Sequence, residues 1–191
     1  MPNLILASQS PRRRQLMEQA GFNFQVIKPP DEVEQSARLE LPPRDLVKHL
    51  AKIKAAHVIS LVDDPQTIVI AADTVADLDG QEIGKPDDRN HARQILQTFS
   101  GRLHQVHTGL CVRNSQRVLS EVATTDLRMD RLSEEQIEAY LETGKWEGKA
   151  GAFGYQDGWD WLHVQNGQES NVVGLPMDLL NEMLRSIGYL N

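Results

Sequence analysis

Short apolar runs and amphipathic stretches alternate along the chain. Leu4 to Ala7 is a four-residue apolar run that predicts a buried strand, and Ser10-Pro11 after it predicts the N-cap and first residue of a helix. That helix would carry Leu16, Met17 and Ala20 on one face, with Gly21 past its end and a second strand from Phe22 to Ile27. Lys28 to Leu41 reads as a loop, opened by Pro29-Pro30 and closed by Pro42-Pro43. From Pro43 to about Leu61 the spacing of Leu46, Val47, Leu50, Ala51, Val58 and Ile59 predicts a long amphipathic helix. Thr67 to Ala76 is a β-branched run of the kind found in strands covered on both faces.

The second half continues the alternation. Asp79-Gly80 is a hairpin turn signal, and Asp88 to Phe99 predicts a helix with Ala92, Ile95, Leu96 and Phe99 inward. Leu103–Val112 and Val118–Met129 predict two long strands joined at Asn114-Ser115. Ser133 and Gln136 form a capping box, with Leu132 stapled to Ile137, for a helix that stops at Gly144. Leu162-His163-Val164 predicts a last strand. Pro176 opens a terminal helix whose core face is Leu179, Leu180, Met183, Leu184 and Ile187. The paired tryptophans Trp159 and Trp161 read as packing rather than as a platform for stacking bases.

The chain has 191 residues, enough for one domain with a sizeable core, and the expectation is a single domain over 1–191. Its net charge of -7, from 27 acidic and 20 basic residues, disfavours a broad grip on a nucleic-acid backbone. Any polyanion must meet a local basic patch. There is no charged n-region followed by an apolar h-region, and no stretch approaches the ~20 apolar residues of a membrane span, so the expected setting is soluble and cytoplasmic. The single cysteine, Cys111, excludes an internal disulfide and reads as a small buried hydrophobe. His104 and His107, three apart in a strand, point to opposite faces, which argues against a zinc site.

Candidate chemistry gathers at the ends of the strands. A helix start already favours anions, and Ser8, Ser10, Arg12 and Arg13 add hydroxyls and forked donors suited to phosphate oxygens; an ordinary capped helix with solvated arginines is the other reading. Asp73 interrupts an apolar run where an uncompensated carboxylate costs several kcal/mol, which makes it the strongest catalytic candidate, as a metal ligand or as a proton acceptor from water. A paired core acid is the alternative. Lys85 stands on the turn Gly84-Lys85-Pro86, and Lys54 gains meaning only if its helix packs against the arginine turn. The run Gly148 to Gln156, rich in glycine, either lets backbone approach a ligand or turns a corner.

Taken together, Leu4 to Ser8 with Ser10-Pro11-Arg12-Arg13, Ala72-Asp73-Thr74-Val75, Gly84-Lys85-Pro86, Ser100-Gly101 through His104-Gln105-Val106, Lys149 to Gln156 and Asn171 to Pro176 resemble the Maf family, in the family's order and over nearly the whole chain. The resemblance implies a nucleoside triphosphate pyrophosphatase that cleaves between the α- and β-phosphates by metal-assisted water attack, with Mg²⁺, Mn²⁺ or Co²⁺ as the divalent cation. It implies a mixed α/β fold, a long twisted sheet with flanking helices in two lobes around a central cleft, as in inosine triphosphate pyrophosphatases. It also implies a small nucleotide as the partner and a homodimer in many members; charge and the lack of an apolar span already point away from nucleic acid and membrane as partners.

By the same resemblance, Ser8, Arg12 and Arg13 match the phosphate-binding turn, joined by Lys54 and Lys85, and Asp73 matches the acid that activates water or holds the metal. Thr74 and Gln156 match positions tied to base recognition in the branch that prefers dTTP and UTP. A sister branch preferring 7-methyl-GTP carries glutamine and an acid there. The family's loop glutamate, a second metal ligand, fits neither local acid cleanly: Glu32 falls one residue early and Glu34 one late, and Glu34 is preferred. Other activities that the resemblance leaves open are pyrophosphatases for modified purine nucleotides and a nucleotide-binding regulator of division.

Overall fold

Strand β3 (Ile68–Leu78) is buried along almost its entire length, and the computed structural model, which describes residues 2–190, places it near the middle of a mixed sheet. One edge of β3 pairs antiparallel with β5 (Leu103–Arg113), setting Asp73 opposite Gly109 and Thr74 opposite Thr108. Beyond β5 lie β6 (Val118–Met129) and β7 (Leu162–Asn166), both antiparallel. The other edge of β3 is divided. β1 (Leu4–Leu6) runs parallel against Ile68–Ile70, with the short β2 (Gln25–Val26) outside it, and β4 (Gln81–Ile83) runs antiparallel against Ala76–Leu78. From 71 to 75 that edge has no ladder partner among the described residues. The sheet splits there, and the cleft between the two lobes opens at the split.

The hairpin from β3 to β4 turns on Asp79 and Gly80, at φ 55° and 82°, the positive pair that the Asp-Gly signal demands. Helix α1 (Pro11–Gln19) starts where expected, with the Ser10 hydroxyl accepting from the Arg13 amide at 3.5 Å. Its anchor is Met17. Ala20, expected on the same face, is exposed, because it is the C-cap residue from which the chain swings away through Gly21 at φ 76°. The stretch 28–41, expected as a loop, contains helix α2 (Asp31–Ala37), whose first turn carries Asp31, Glu32 and Glu34. Acids there complement the positive end of the helix dipole, a pattern as compatible with a helix start as with a solvated loop.

Helix α3 (Pro43–Ile59) covers one face of the sheet through Leu46, Val47, Leu50, Ala51, Ala55 and Val58. Its crossing is close: a Cβ added to Gly109 would lie 2.1 Å from the Val47 carbonyl oxygen. The opposite face carries two cores. At the β1 end, Met17 packs with Leu180, Met183 and Leu184 of α7 (Met177–Ser186). At the β4 end, α4 (Arg89–Phe99) and α5 (Glu134–Glu142) bury Leu96, Phe99, Ile137 and Tyr140 against Val106, Leu127 and Met129. The capping box on α5 is present as expected. Trp159 and Trp161 sit 4.4 Å apart between ring centroids in this second core, and Trp161 also meets Tyr140, so they pack. A five-residue helix, α6 (Glu169–Val173), precedes α7 without a sequence signal. Among the described residues no helix is long and apolar enough to cross a membrane.

Candidate active site

Asp73 projects from β3 toward α3, where its carboxylate meets Lys54 at 2.5 Å. The same ammonium reaches Glu34 at 2.6 Å, so Lys54 lies between two carboxylates and ties α2, α3 and β3 together. The Lys54 and Asp73 side chains are only 13% and 10% exposed, and burial at that level demands a charged partner for each. Burial works to raise the Glu34 pKa, but the Lys54 charge and hydrogen bond, with Lys85 and Arg38 behind them, carry it below the ordinary carboxylate value. Of the two acids weighed for this place, Glu34 points inward; Glu32 is exposed and does not line the cavity.

The three arginines at the start of α1 diverge because successive helical residues turn about 100°. Arg14 pairs with Glu18 on the solvent side, and Arg12 lines the cleft. Arg13 is half-buried beneath it. Its guanidinium donates to Gly174 O (2.7 Å), Ala72 O (2.8 Å), the Thr74 hydroxyl (3.0 Å) and the Ser8 hydroxyl (3.3 Å). Four of five N–H groups are thereby occupied, and Ala72 O belongs to the stretch of β3 that lacks a neighbour on that edge. Arg13 thus stands in for a missing strand. Burial lowers its pKa, opposed by the Asp73 charge. Thr74 continues the network to Thr108 (2.9 Å), which donates to Asn171 O (3.2 Å) on α6. Gly174 closes it at φ 117°, where a side chain would be strained.

A cavity of about 850 Å³ occupies the cleft. Ser8, Ser10, Arg12, Arg13, Glu34, Lys54, Asp73, Thr74, Lys85 and Gln156 all line it, so the residues singled out from the sequence meet at one place. Its far end is apolar, walled by Phe99, Val106, Leu127, Met129 and Phe153. Four further charged groups stand at the wall; Arg38, Glu82 and Asp157 had no distinguishing signal in the sequence, whereas Lys149 opens the last part of the glycine-rich run. Arg38, just past α2, pairs with Glu82 of β4 across the mouth, and that bond, offset in part by desolvation, raises the Arg38 pKa. Lys149 pairs with Asp157 at 2.5 Å, and Asp157 also accepts from Tyr140 Oη (2.6 Å) and Gly154 N (3.1 Å), which fixes the glycine-rich turn against the cavity. Burial, then Asp157, pushes the Tyr140 pKa up.

Among the described residues no three His, Cys, Asp or Glu side chains converge as a ready-made metal cage. Asp73 and Glu34 nevertheless offer two oxygen donors of the kind that hard divalent cations share with substrate phosphates. The arrangement is therefore cationic at one end, with a carboxylate at its centre and an apolar recess beyond. Such a site suits a phosphate chain joined to a flat, weakly polar group.

The description "Maf-like protein" is that of a family whose pattern matches residues 3–187. The chain belongs to this family. Among its relatives, a dTTP/UTP pyrophosphatase of Rhodopirellula baltica is 46% identical over 96% of this chain and 82% of its own length. Proteins of the same name from Symbiobacterium thermophilum and Bdellovibrio bacteriovorus are 42% and 38% identical, over 99% and 96% of this chain and 96% and 97% of theirs. A HAM1 protein of Coxiella burnetii has a similar fold, with a TM-score of 0.52 at 16% identity over 97% of this chain and all of its own. The mixed α/β fold with a long sheet and flanking helices, expected from the resemblance to the Maf family, is the one found.

Proposed function

We propose that this Maf-like protein hydrolyses nucleoside triphosphates, dTTP and UTP foremost, between the α- and β-phosphates. The observation that carries the reading is the Glu34–Lys54–Asp73 cluster, set at the split of the sheet beside the arginine turn. The names of the relatives, which share 38–46% identity over nearly the whole chain, support the substrate class.

In this reading Arg12, Lys54 and Lys85 hold the phosphates and offset the charge that grows on their oxygens in the transition state. Ser8 and Ser10 add hydroxyl and backbone donors, and Arg13 holds the turn and the edge of β3 rigid beneath them. Asp73 accepts a proton from the attacking water. The water oxygen bonds to the α-phosphorus, the bond to the α-β bridging oxygen breaks, and pyrophosphate leaves with the electron pair. A divalent cation held by Asp73 and Glu34 would supply further neutralisation of phosphate charge. The base lies toward the apolar end, and Thr74, held by Arg13 and Thr108, shapes the pocket from the phosphate end.

The test is pyrophosphate release from dTTP and UTP in isotopically labelled water. The label is expected in the nucleoside monophosphate, and Asp73→Asn is expected to lower kcat at least ~10²-fold while the protein stays folded. Label in pyrophosphate, or undiminished turnover by folded Asp73→Asn, overturns the assignment. Preference for 7-methyl-GTP over dTTP overturns the base class alone.

A further inference from the structure

His104 is a polar ring on the apolar wall of the cavity. It is 7% exposed, its centroid lies 4.4 Å from that of Phe99, and it lines the recess with Val106, Leu127 and Met129. Its Nδ1 is buried without a hydrogen-bond partner. Leaving a buried ring nitrogen unpaired carries its desolvation penalty unrelieved, and native interiors seldom tolerate it. The other buried histidine of β5 shows that the strand does not impose this. His107 bonds through one ring nitrogen to Asp77 (3.1 Å) and through the other to Thr124 (2.9 Å).

Burial holds the His104 pKa down to about 4, opposed by the nearby Arg102 backbone. At neutral pH the ring is therefore uncharged, with one N–H donor and one lone pair. Neither property suits the phosphates, which call for cations. Distance also separates His104 from the chemistry. Five strand positions from Gly109, the partner of Asp73, correspond to roughly 17 Å of backbone, a span that a carboxylate, a water, a sugar and a base would fill.

We propose that His104 reads the edge of the bound pyrimidine, forming the hydrogen bond that the protein itself leaves unmade, with Phe99 backing the ring. A uracil- or thymine-type base suits it because its edge sets an N–H between two carbonyl oxygens, so that either tautomer of a neutral imidazole finds a complement. The rest of the recess is hydrocarbon and aromatic surface and selects for flatness and size. His104 is thus a specificity-determining residue, and the inference rests on the pyrophosphatase reading above.

The experiment compares dTTP with ribose 5′-triphosphate, which has the phosphates and sugar without a base. His104→Phe keeps a flat ring against Phe99 and removes both nitrogens. It is expected to lower kcat/KM for dTTP about 10–100-fold and to leave that for ribose 5′-triphosphate unchanged, while His104→Gln, with a donor and an acceptor, recovers part of the loss. In the unmodified protein labelled with nitrogen-15 at histidine, the His104 ring resonances, identified by their loss in either variant, are expected to shift with dTMP and not with ribose 5-phosphate. Equal losses on both triphosphates, no loss on dTTP, or an unmoved ring resonance overturns the proposal. A base-dependent shift in a protein that releases no pyrophosphate from dTTP would overturn the catalytic reading and leave the base contact standing.

Discussion

Lys54 shows how much one side chain determines at this site. Replacing it with methionine keeps most of the buried hydrocarbon and removes the only charge between Asp73 and Glu34. Breaking a buried pair leaves an uncompensated carboxylate; Glu34 is 40% exposed and partly screened, so we expect a loss of about 3 kcal/mol near neutral pH. The pH dependence gives the sharper check. In the unmodified protein the folded pKa of Glu34 lies below its ordinary value, so its contribution is present above that value and lost as pH falls through the folded one. Without Lys54 the largest remaining influence, burial, raises the pKa, and acidification then relieves the variant. Urea unfolding near pH 7 and near pH 4 should show the gap narrowing in acid, and a gap of constant size would refute the role of Lys54 as counter-ion. Arg12, Arg13 and Arg14 mark the limit of what residue types convey. Their side chains are identical, yet Arg12 lines the cavity, Arg13 lines it while bracing a strand edge, and Arg14 pairs with Glu18 on the solvent side, a division fixed by helix phase and by what lies beneath. Asp73 was legible because a carboxylate in an apolar run demands a partner; Lys54, its partner, was legible only through the family resemblance, because a lysine on an amphipathic helix is ordinarily solvated.

At the scale of elements, the site depends on how closely α3 crosses the sheet. Gly109 permits that approach, and it stands opposite Asp73 in the register. Alanine there would place a methyl group 2.1 Å from the backbone oxygen of Val47, which no rotamer change can relieve. We expect Gly109→Ala to cost about 3 kcal/mol, at the upper end for overpacking, and to lower pyrophosphatase activity further by drawing Lys54 away from Asp73. Urea denaturation and turnover measured on the same preparation check both, and a variant with unchanged midpoint would show that the helix is not seated on this glycine. The sequence disclosed elements whose rules are local: the Asp-Gly hairpin needs positive φ, and the Ser133–Gln136 box needs only one turn. It did not disclose α2, whose residues are never fully buried and so leave no apolar period, nor the approach of α3 to Gly109, which is a contact between distant segments. Glu34 was ambiguous in the sequence for this reason: only the helical phase of α2 decides which of its acids turns inward.

Across the whole molecule, the two lobes are joined by strands that run through both. β3 gives Ile68 and Ile70 to the core under α7, Val69 and Ala71 to the core under α3, and Ala76 and Leu78 to the core under α4 and α5. Loss of any one core removes packing from the same strand that supports the other two, so residues 1–191 should unfold as one cooperative unit despite the cleft. Probes for this are already in place. Trp146, Trp159 and Trp161 all pack in the α4–α5 core, whereas Cys111 is buried in the core under α3, where burial raises its pKa to about 11 and keeps the thiolate scarce. Leu180→Ala cuts into the third core, under α7, on the opposite face of the sheet from Cys111 and outside the core that holds the tryptophans, and should cost about 2–5 kcal/mol. If the lobes are coupled, tryptophan fluorescence and Cys111 thiol labelling will give coincident urea midpoints in the unmodified protein, and Leu180→Ala will lower both by the same amount. If the α7 substitution exposes Cys111 while the tryptophan transition stays in place, the lobes are separate folding units. The split in β3 would then be a boundary between domains instead of a notch in one sheet.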